Sequence, residues 1–298
     1  MTDQRLQMQD PRTQYPQPPF PKQPQSAPGL ASRMDPAPDH GETSYRGSGR
    51  LEGRKALVTG GDSGIGRAAA IAFAREGADV AIVYRPSEDA DAQAVIALIE
   101  AEGRKAVAIP GDIMDEGFCQ ALVETAAKGL GGLDILVNNA GKQTTQPSID
   151  DITTDQFDQT LKTNLYALFW ITKAAKAHLK PGAAIINTTS IQGFEPSEAL
   201  LDYATTKAGI VAFTKALSKQ MIKLGVRVNG VAPGPFWTPL QPSGGQTQEK
   251  VEEFGAEGPL GRPGQPVEIA PVFVLLASQE ASFITGEIYG VTGGLGVA

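Results

Sequence analysis

"LVTGGDSGIGRAAAIAFAREGADV", residues 57–80, decides how the rest of the chain is read. An apolar run ends at Thr59, glycines stand at 60, 64 and 66, and an alanine-rich segment leads into a second apolar run. The pattern is that of a strand, a glycine-rich turn and a helix. Glycine lets backbone approach a pyrophosphate closely, and the N-terminus of the following helix offers it free N–H groups and positive potential. The spacing is GxxxGxG, not the commoner GxGxxG. Three glycines alone also suit a plain tight turn. Their position at the first strand–helix junction of an alternating array favours a phosphate. Gly60, Asp62, Ser63, Gly64, Ile65 and Gly66 are the cofactor residues expected at this end.

Outward from there, seven short runs rich in Val and Ile read as buried strands: "KALVTG", "ADVAIVY", "KAVAIPGD", "LDILVNNAG", "AAIINTTS", "VRVNGVAPG" and "GEIYGVTGG". Gly, Asn or Pro stops each one. Segments near 64–76, 87–102, 115–129, 155–179, 199–223 and 266–277 carry helical spacing. Such alternation predicts an α/β fold, a parallel sheet of about seven strands covered by helices on both faces. Residues 51–298 read as one dinucleotide-binding domain. The stretch from about 235 to 265, with Pro, Gly and Gln, is too long for an ordinary connection and is expected to be a lid.

Residues 1–50 differ in kind. They hold nine of the 22 prolines, with seven Gln in the first 25 positions. This composition favours extended, polyproline-like backbone over a packed core. An arm that either lies along a neighbouring subunit through Tyr15 and Phe20 or stays disordered is expected, with "GSGR" at 47–50 as its hinge.

The chain carries 41% hydrophobic residues and a formal charge of −7. The first fifty residues hold six Lys/Arg and five Asp/Glu, a surplus of +1 that leaves −8 on the remainder. An acidic body without a basic run argues against nucleic acid or an anionic membrane as partner. No apolar stretch approaches the ~20 residues of a membrane span. One cysteine, Cys119, permits no internal disulfide. A cytoplasmic protein without a secretory signal is expected. Neither histidine, His40 nor His178, has partners suggesting a metal site.

The end of the second strand bears on the cofactor. A carboxylate there would bind a ribose 2′-hydroxyl and repel a 2′-phosphate. The position holds Tyr84, followed by Arg85, so NADP is expected and NAD stays possible; Arg85 also reads as a solvated loop cation. Asp112, with Ile113 behind it, is placed to accept from an adenine amino group or simply to start a turn. "NNAG" at 138–141 ends the fourth strand, where Asn139, Ala140 and Gly141 let a nicotinamide pass close to backbone or form an ordinary strand-ending turn.

Tyr203 and Lys207, in "LLDYATTKAG", share one face of a helix at i and i+4. A tyrosine near its usual pKa of ~10 is a poor proton donor or acceptor at neutral pH. Burial raises that value. A cation ~4 Å away at an effective dielectric of 20 offsets about 4 kcal/mol. The expectation is therefore a phenol made acidic by Lys207, provided the lysine stays protonated. Ser190, at the end of the fifth strand, is placed to hold a carbonyl oxygen beside it, or to close a turn.

Taken together, "TGGDSGIG", "NNAG", "NTTS", "YATTK" and "PGPFWT" resemble the short-chain dehydrogenase/reductase family in its single-domain branch, from about residue 53 onward. The resemblance implies a Rossmann-type doubly wound sheet, hydride transfer between nicotinamide and a carbonyl or alcohol, and a homotetramer. It implies Ser190, Tyr203 and Lys207 as catalytic residues. It adds Asn164, which kinks its helix and holds a relay water. It also implies nicotinamide ribose contacts near Asn138 and Lys207, and carboxamide contacts at Pro233, Gly234 and Thr238. Position 63 is Ser where many NADP-preferring members carry a basic residue, which leaves a 2′-phosphate to Arg85 and Ser63. The proline-rich arm resembles a bacterial subgroup of stress-associated oxidoreductases proposed to reduce aldehydes.

Gln192, Phe194, Leu200, Phe236 and Trp237 are the expected substrate contacts, an aromatic set that suggests a small apolar carbonyl compound. Two other classes stay open. One is a catalytically silent dinucleotide-binding sensor or scaffold, although such proteins commonly lose the Tyr or Lys kept here. The other is an epimerase or dehydratase that turns over without net consumption of NADPH.

Overall fold

A computed structural model describes residues 7–296. All seven expected strands form: β1 (Lys55–Thr59), β2 (Asp79–Tyr84), β3 (Ala106–Pro110), β4 (Ile135–Asn138), β5 (Ala184–Thr188), β6 (Arg227–Pro233) and β7 (Ile288–Val291). They make one sheet in the order β3-β2-β1-β4-β5-β6-β7, with every neighbouring pair parallel. Successive side chains point to opposite faces, so each strand feeds two cores. Ala56, Val58, Val80, Ile82 and Ile186 enter one, with Phe73 and Phe273 from the helices above. Leu57, Ala81, Val83 and Ile185 enter the other, with Cys119, Leu122 and Met221. Burial on both sides is why the strands read as continuous apolar runs.

The first layer carries α1 (Gly64–Arg75), α2 (Asp89–Ala101) and α8 (Pro266–Ala277); the second carries α3 (Glu116–Leu130), α5 (Ala167–Ala175) and α6 (Leu201–Met221). Between β4 and β5, α4 (Thr154–Leu161) precedes α5, and α7 (Gln248–Glu252) is a short helix after β6. Arg227 at the start of β6 donates to the carbonyls of Leu276 and Ser278, which the end of α8 leaves free. Strand order reverses between β1 and β4. Loops leaving their carboxyl ends therefore part, and a crevice opens there. Among the described residues no helix is long and apolar enough to cross a membrane.

Two expectations need correcting. The helix expected over 155–179 is not continuous: a π turn at Lys162–Tyr166 separates α4 from α5. Asn164 sits inside it, its amide committed to the backbone of Lys142 and to Thr206. The arm, in turn, is ordered against its own chain. Phe20 and Met34 pack with Trp237, Val251 and Phe254 of the 235–265 segment. A proline-rich strand needs no core of its own when it covers apolar side chains left by another segment.

The arm's far end is pinned by Glu76, just past α1 and fully buried. Its carboxylate accepts from the Tyr45 hydroxyl at 2.6 Å, from the Ser48 and Arg50 amides at 2.8 and 3.0 Å, and from the Arg50 guanidinium at 2.7 Å. Burial works against the charge, but these donors outweigh it and hold the carboxyl down at about 2. Its stabilising contribution is thus complete above the ordinary value of 4.5 and fades as pH falls from there toward about 2. Glu76→Gln is expected to cost about 3 kcal/mol, the usual result of removing one partner of a buried ion pair. Urea titration checks this, and an unchanged midpoint would show that the carboxylate is not the anchor.

Candidate active site

The crevice is a cleft of about 950 Å³ at the carboxyl edge of the sheet. At its phosphate end Gly60 and Gly64 adopt φ of +63° and +51°, values that side chains resist. The first amides of α1 point into the cleft free of helical partners, as at any helix start. No acidic residue occupies this first helical turn. Gly60, Asp62, Ser63, Gly64 and Ile65 line the cleft as expected. Gly66 lies behind them: a Cβ there would meet the Gly60 carbonyl oxygen at 1.9 Å, so this glycine lets α1 pack against the turn.

Tyr84 and Arg85 line the cleft at the end of β2. Arg85 donates to Asp112 at 3.0 Å, so the two groups expected to serve different parts of a cofactor hold each other. A guanidinium has five N–H donors, and this bond leaves most of them free. Beside them sits a buried carboxyl pair, Asp62 with Glu88, and sequence reading missed Glu88. Burial raises both carboxyls, and the nearby negative charge of the other acids adds to the effect. A hydrogen bond joins them, so the pair keeps a proton that two separate carboxylates would have lost. Asp62 Oδ2 has no partner among the described residues, which leaves an acceptor for a ligand hydroxyl.

Asn139, Ala140 and Gly141 line the middle of the cleft. Asn139 locks two turns together: its amide group donates to the carbonyls of Thr59 and Gly60 at 3.1 and 3.2 Å. Asn138 lies in the core instead, donating to Thr172 and Asn187. Pro233, Gly234 and Thr238 line the cleft as well, Thr238 close against Gly64. A glycine cradle, orphan donors and an orphan acceptor in a cleft of this volume fit a dinucleotide.

Past β5, Ser190 starts a short turn by accepting from the Gln192 amide at 3.1 Å. Tyr203 and Lys207 on α6 face the same point, both buried. Lys207 Nζ donates to the Thr188 carbonyl at 2.9 Å and lies 5.4 Å from the centre of the Tyr203 ring. Asp202, unsuspected from sequence, orients the helix: buried, it accepts from Thr160 at 2.8 Å and from Gln156 at 3.1 Å on α4. A side cavity of about 10 Å³ borders Asn164, Thr188 and Ala140, room for about one water.

The electrostatics differ from the sequence expectation. Burial pushes the Tyr203 phenol up to about 12, with a hydrogen bond to Ser190 opposing, and pushes Lys207 down to about 8. In the open cleft burial wins, and the phenol keeps its proton. A group in this state suits donation to an alkoxide, not proton abstraction at neutral pH.

Of the expected substrate contacts, Gln192, Leu200 and Phe236 line the cleft. Phe194 does not, and Trp237 is turned away entirely. Trp237 is fully buried between Phe20, 4.3 Å between ring centres, and Phe254, and its indole N–H donates to Pro36. Gln143, Gln246, Glu195, Lys250 and Glu253 line the cleft as well. The wall is more polar than the aromatic reading implied.

A parallel doubly wound sheet with a glycine-rich first turn and a Ser–Tyr–Lys group at the carboxyl edge of β5 defines the class of nucleotide-dependent oxidoreductases. A family model described as enoyl-(acyl carrier protein) reductase matches residues 60–296. The chain is 58% identical over 287 residues to an uncharacterized oxidoreductase, YghA, of Escherichia coli K12, covering 96% of this chain and 98% of that one. It is 41% identical over 280 residues to NADPH-dependent aldehyde reductase 1, chloroplastic, of Arabidopsis thaliana, covering 92% and 97%. A crystal structure of a short chain dehydrogenase from Burkholderia cenocepacia in complex with NADP superposes with a TM-score of 0.76 at 37% identity, over 82% of this chain and 98% of that one. The chain belongs to the short-chain dehydrogenase/reductase family.

Ultraviolet titration tests the state of the phenol. The difference between the ligand-free protein and its Tyr203→Phe variant is expected to show no tyrosinate signal through about pH 10, the ordinary phenol value. A signal near neutrality would restore the acidic phenol that the sequence suggested.

Proposed function

We propose that this protein is an NADP(H)-dependent reductase of aldehydes or ketones with Tyr203 as general acid. One observation carries the reading: Ser190, Tyr203 and Lys207 meet at the carboxyl edge of β5 and line the same cleft. Hydride transfer at a nicotinamide is the chemistry that the cofactor supplies when bound.

The rest falls to the chain's own side chains. Ser190 Oγ accepts from Gln192, which leaves its O–H to donate to a carbonyl oxygen. Tyr203 then donates its proton to that oxygen as negative charge develops there. The resulting tyrosinate is stabilised by Lys207, whose ammonium keeps two N–H groups beyond the one given to Thr188. Gly60 to Ile65, Tyr84, Arg85, Asp112, Ile113 and the 139–141 turn hold the dinucleotide, with Pro233, Gly234 and Thr238 at its nicotinamide end. Arg85 favours a 2′-phosphate, and the proton shared by Asp62 and Glu88 lessens the repulsion that two free carboxylates would exert on it. This support agrees with the named cofactors of the Arabidopsis and Burkholderia relatives.

The polar side chains among the cleft's apolar ones, Gln143, Gln192 and Gln246 with them, support a carbonyl substrate that also bears a hydroxyl or amide group, beyond the small or medium apolar carbonyl compound first inferred. We also read the molecule as a cytoplasmic homotetramer. Exposed Tyr166 and Phe169 form an apolar face of the kind a neighbouring subunit covers.

Tyr203→Phe is expected to lower kcat for NADPH-coupled aldehyde reduction by about 10³-fold, within the range of positioned acids. In the wild type, kcat/KM should fall as pH rises through about 8, where Lys207 loses its proton. A phenylalanine variant at full rate would remove Tyr203 from the acid's role.

Cofactor choice has its own test. Arg85→Ala should lower kcat/KM with NADPH by about tenfold, the loss of one charge-assisted contact, and leave NADH unchanged. Equal losses with both would mean that Arg85 does not read the 2′ position.

A further inference from the structure

The proline-rich arm does more than cover the 235–265 segment: Ala27, Pro28 and Gly29 line the dinucleotide cleft together with Gly60, Ser63 and Gly64. Both ends of this short stretch are fixed to opposite walls. On the lid side Gly29 is buried so tightly that a Cβ would sit 2.7 Å from the Pro239 carbonyl oxygen and 3.0 Å from Ser243 Cβ. Gln25 donates its amide to the Pro242 carbonyl there at 3.2 Å. On the other side the Ala31 amide donates to Asp91 of α2, a buried bond of 2.7 Å.

From Gly29 to Ala31 the chain advances two residues, at most ~7 Å. The arm therefore joins the lid to α2 across the mouth of the cleft. The lid residue Thr238 touches the glycine-rich turn at Gly64, so the crossing lies at the phosphate end. The loop is also prebuilt: the Gln25 side chain accepts from the Leu30 amide at 2.8 Å and donates to its carbonyl at 3.3 Å. Upstream, Phe20 on Trp237 and the Lys22–Glu249 ion pair at 3.0 Å tether the same strand.

We propose that residues Ala27–Ala31 are part of the cofactor site, a strap that closes over the dinucleotide's phosphates and must lift before it leaves. The proposal rests on the NADP reading above. It makes two measurable demands. Cofactor release is limited by strap opening, and by reciprocity of linked equilibria bound cofactor holds the strap down.

The test uses the full chain and NADPH fluorescence. Ala31→Pro removes the amide that Asp91 holds. The position tolerates proline, because Ala31 opens a short 3₁₀ turn and Leu30 before it has ψ of 130°. Phe20→Ala loosens the same strand from the Trp237 side. Trypsin cleavage after the exposed Lys22 and Arg33 reports strap opening, and whichever variant is cleaved faster is the one judged. In that variant NADPH dissociation, followed by stopped-flow displacement, is expected to speed up about tenfold, the worth of one hydrogen bond to a charged group. In the wild type, saturating NADPH is expected to slow cleavage at both sites. Unchanged release from an opened strap, or cleavage indifferent to NADPH, overturns the proposal. A wild type that does not bind NADPH at all would instead overturn the cofactor assignment.

Discussion

Helix α1 meets the end of β1 so closely that there is no room for a methyl group between Gly66 and the Gly60 carbonyl. This contact aims the helix start into the crevice, and the other walls take their register from it. Asn139 fastens the β4 turn to the carbonyls of Thr59 and Gly60. Thr188 reaches Asn139 through its hydroxyl, and Lys207 reaches the Thr188 carbonyl. A connected run of backbone and side-chain bonds thus passes from the phosphate turn to the lysine across three strands. Positioning of the reactive group is a property of the sheet edge and does not depend on any one loop.

Placing Tyr203 and Lys207 in a buried pocket has opposing effects. Burial disfavours the phenolate and the ammonium alike, and both shifts show it. The fold tolerates the lysine because its ammonium has a carbonyl partner and Asp202 holds the helix beneath it through Thr160 and Gln156. Burial thus leaves a phenol that holds its proton beside an ammonium that gives its own up more readily.

The strands and most helices were legible because a sheet buried on both faces writes short apolar runs between glycines. The residues that line the cleft followed from the strand ends, where the sequence places Asn139 to Gly141 and Asp112. The arm was legible only as composition. Proline content says that a segment builds no core, but not that it completes one belonging to another segment. Trp237 was misread for the same reason: its partner, Phe20, lies far away in sequence, and no local pattern marks it as packed away from the cleft. Glu88 escaped because an acid in a helix-opening turn reads as solvated until the fold sets Asp62 beside it. The π turn at Asn164 left no mark on the helical periodicity, which one inserted residue does not visibly disturb; only the family resemblance put a kink there.

The lone cysteine of the chain takes on meaning in this setting. Cys119 is buried in the core beneath β3, and burial, with nearby acids adding, holds its thiol up at about 12. Only a thiolate attacks electrophiles at an appreciable rate. The chain thus presents no reactive thiol at its surface, and thiol-directed alkylation should leave the folded protein untouched.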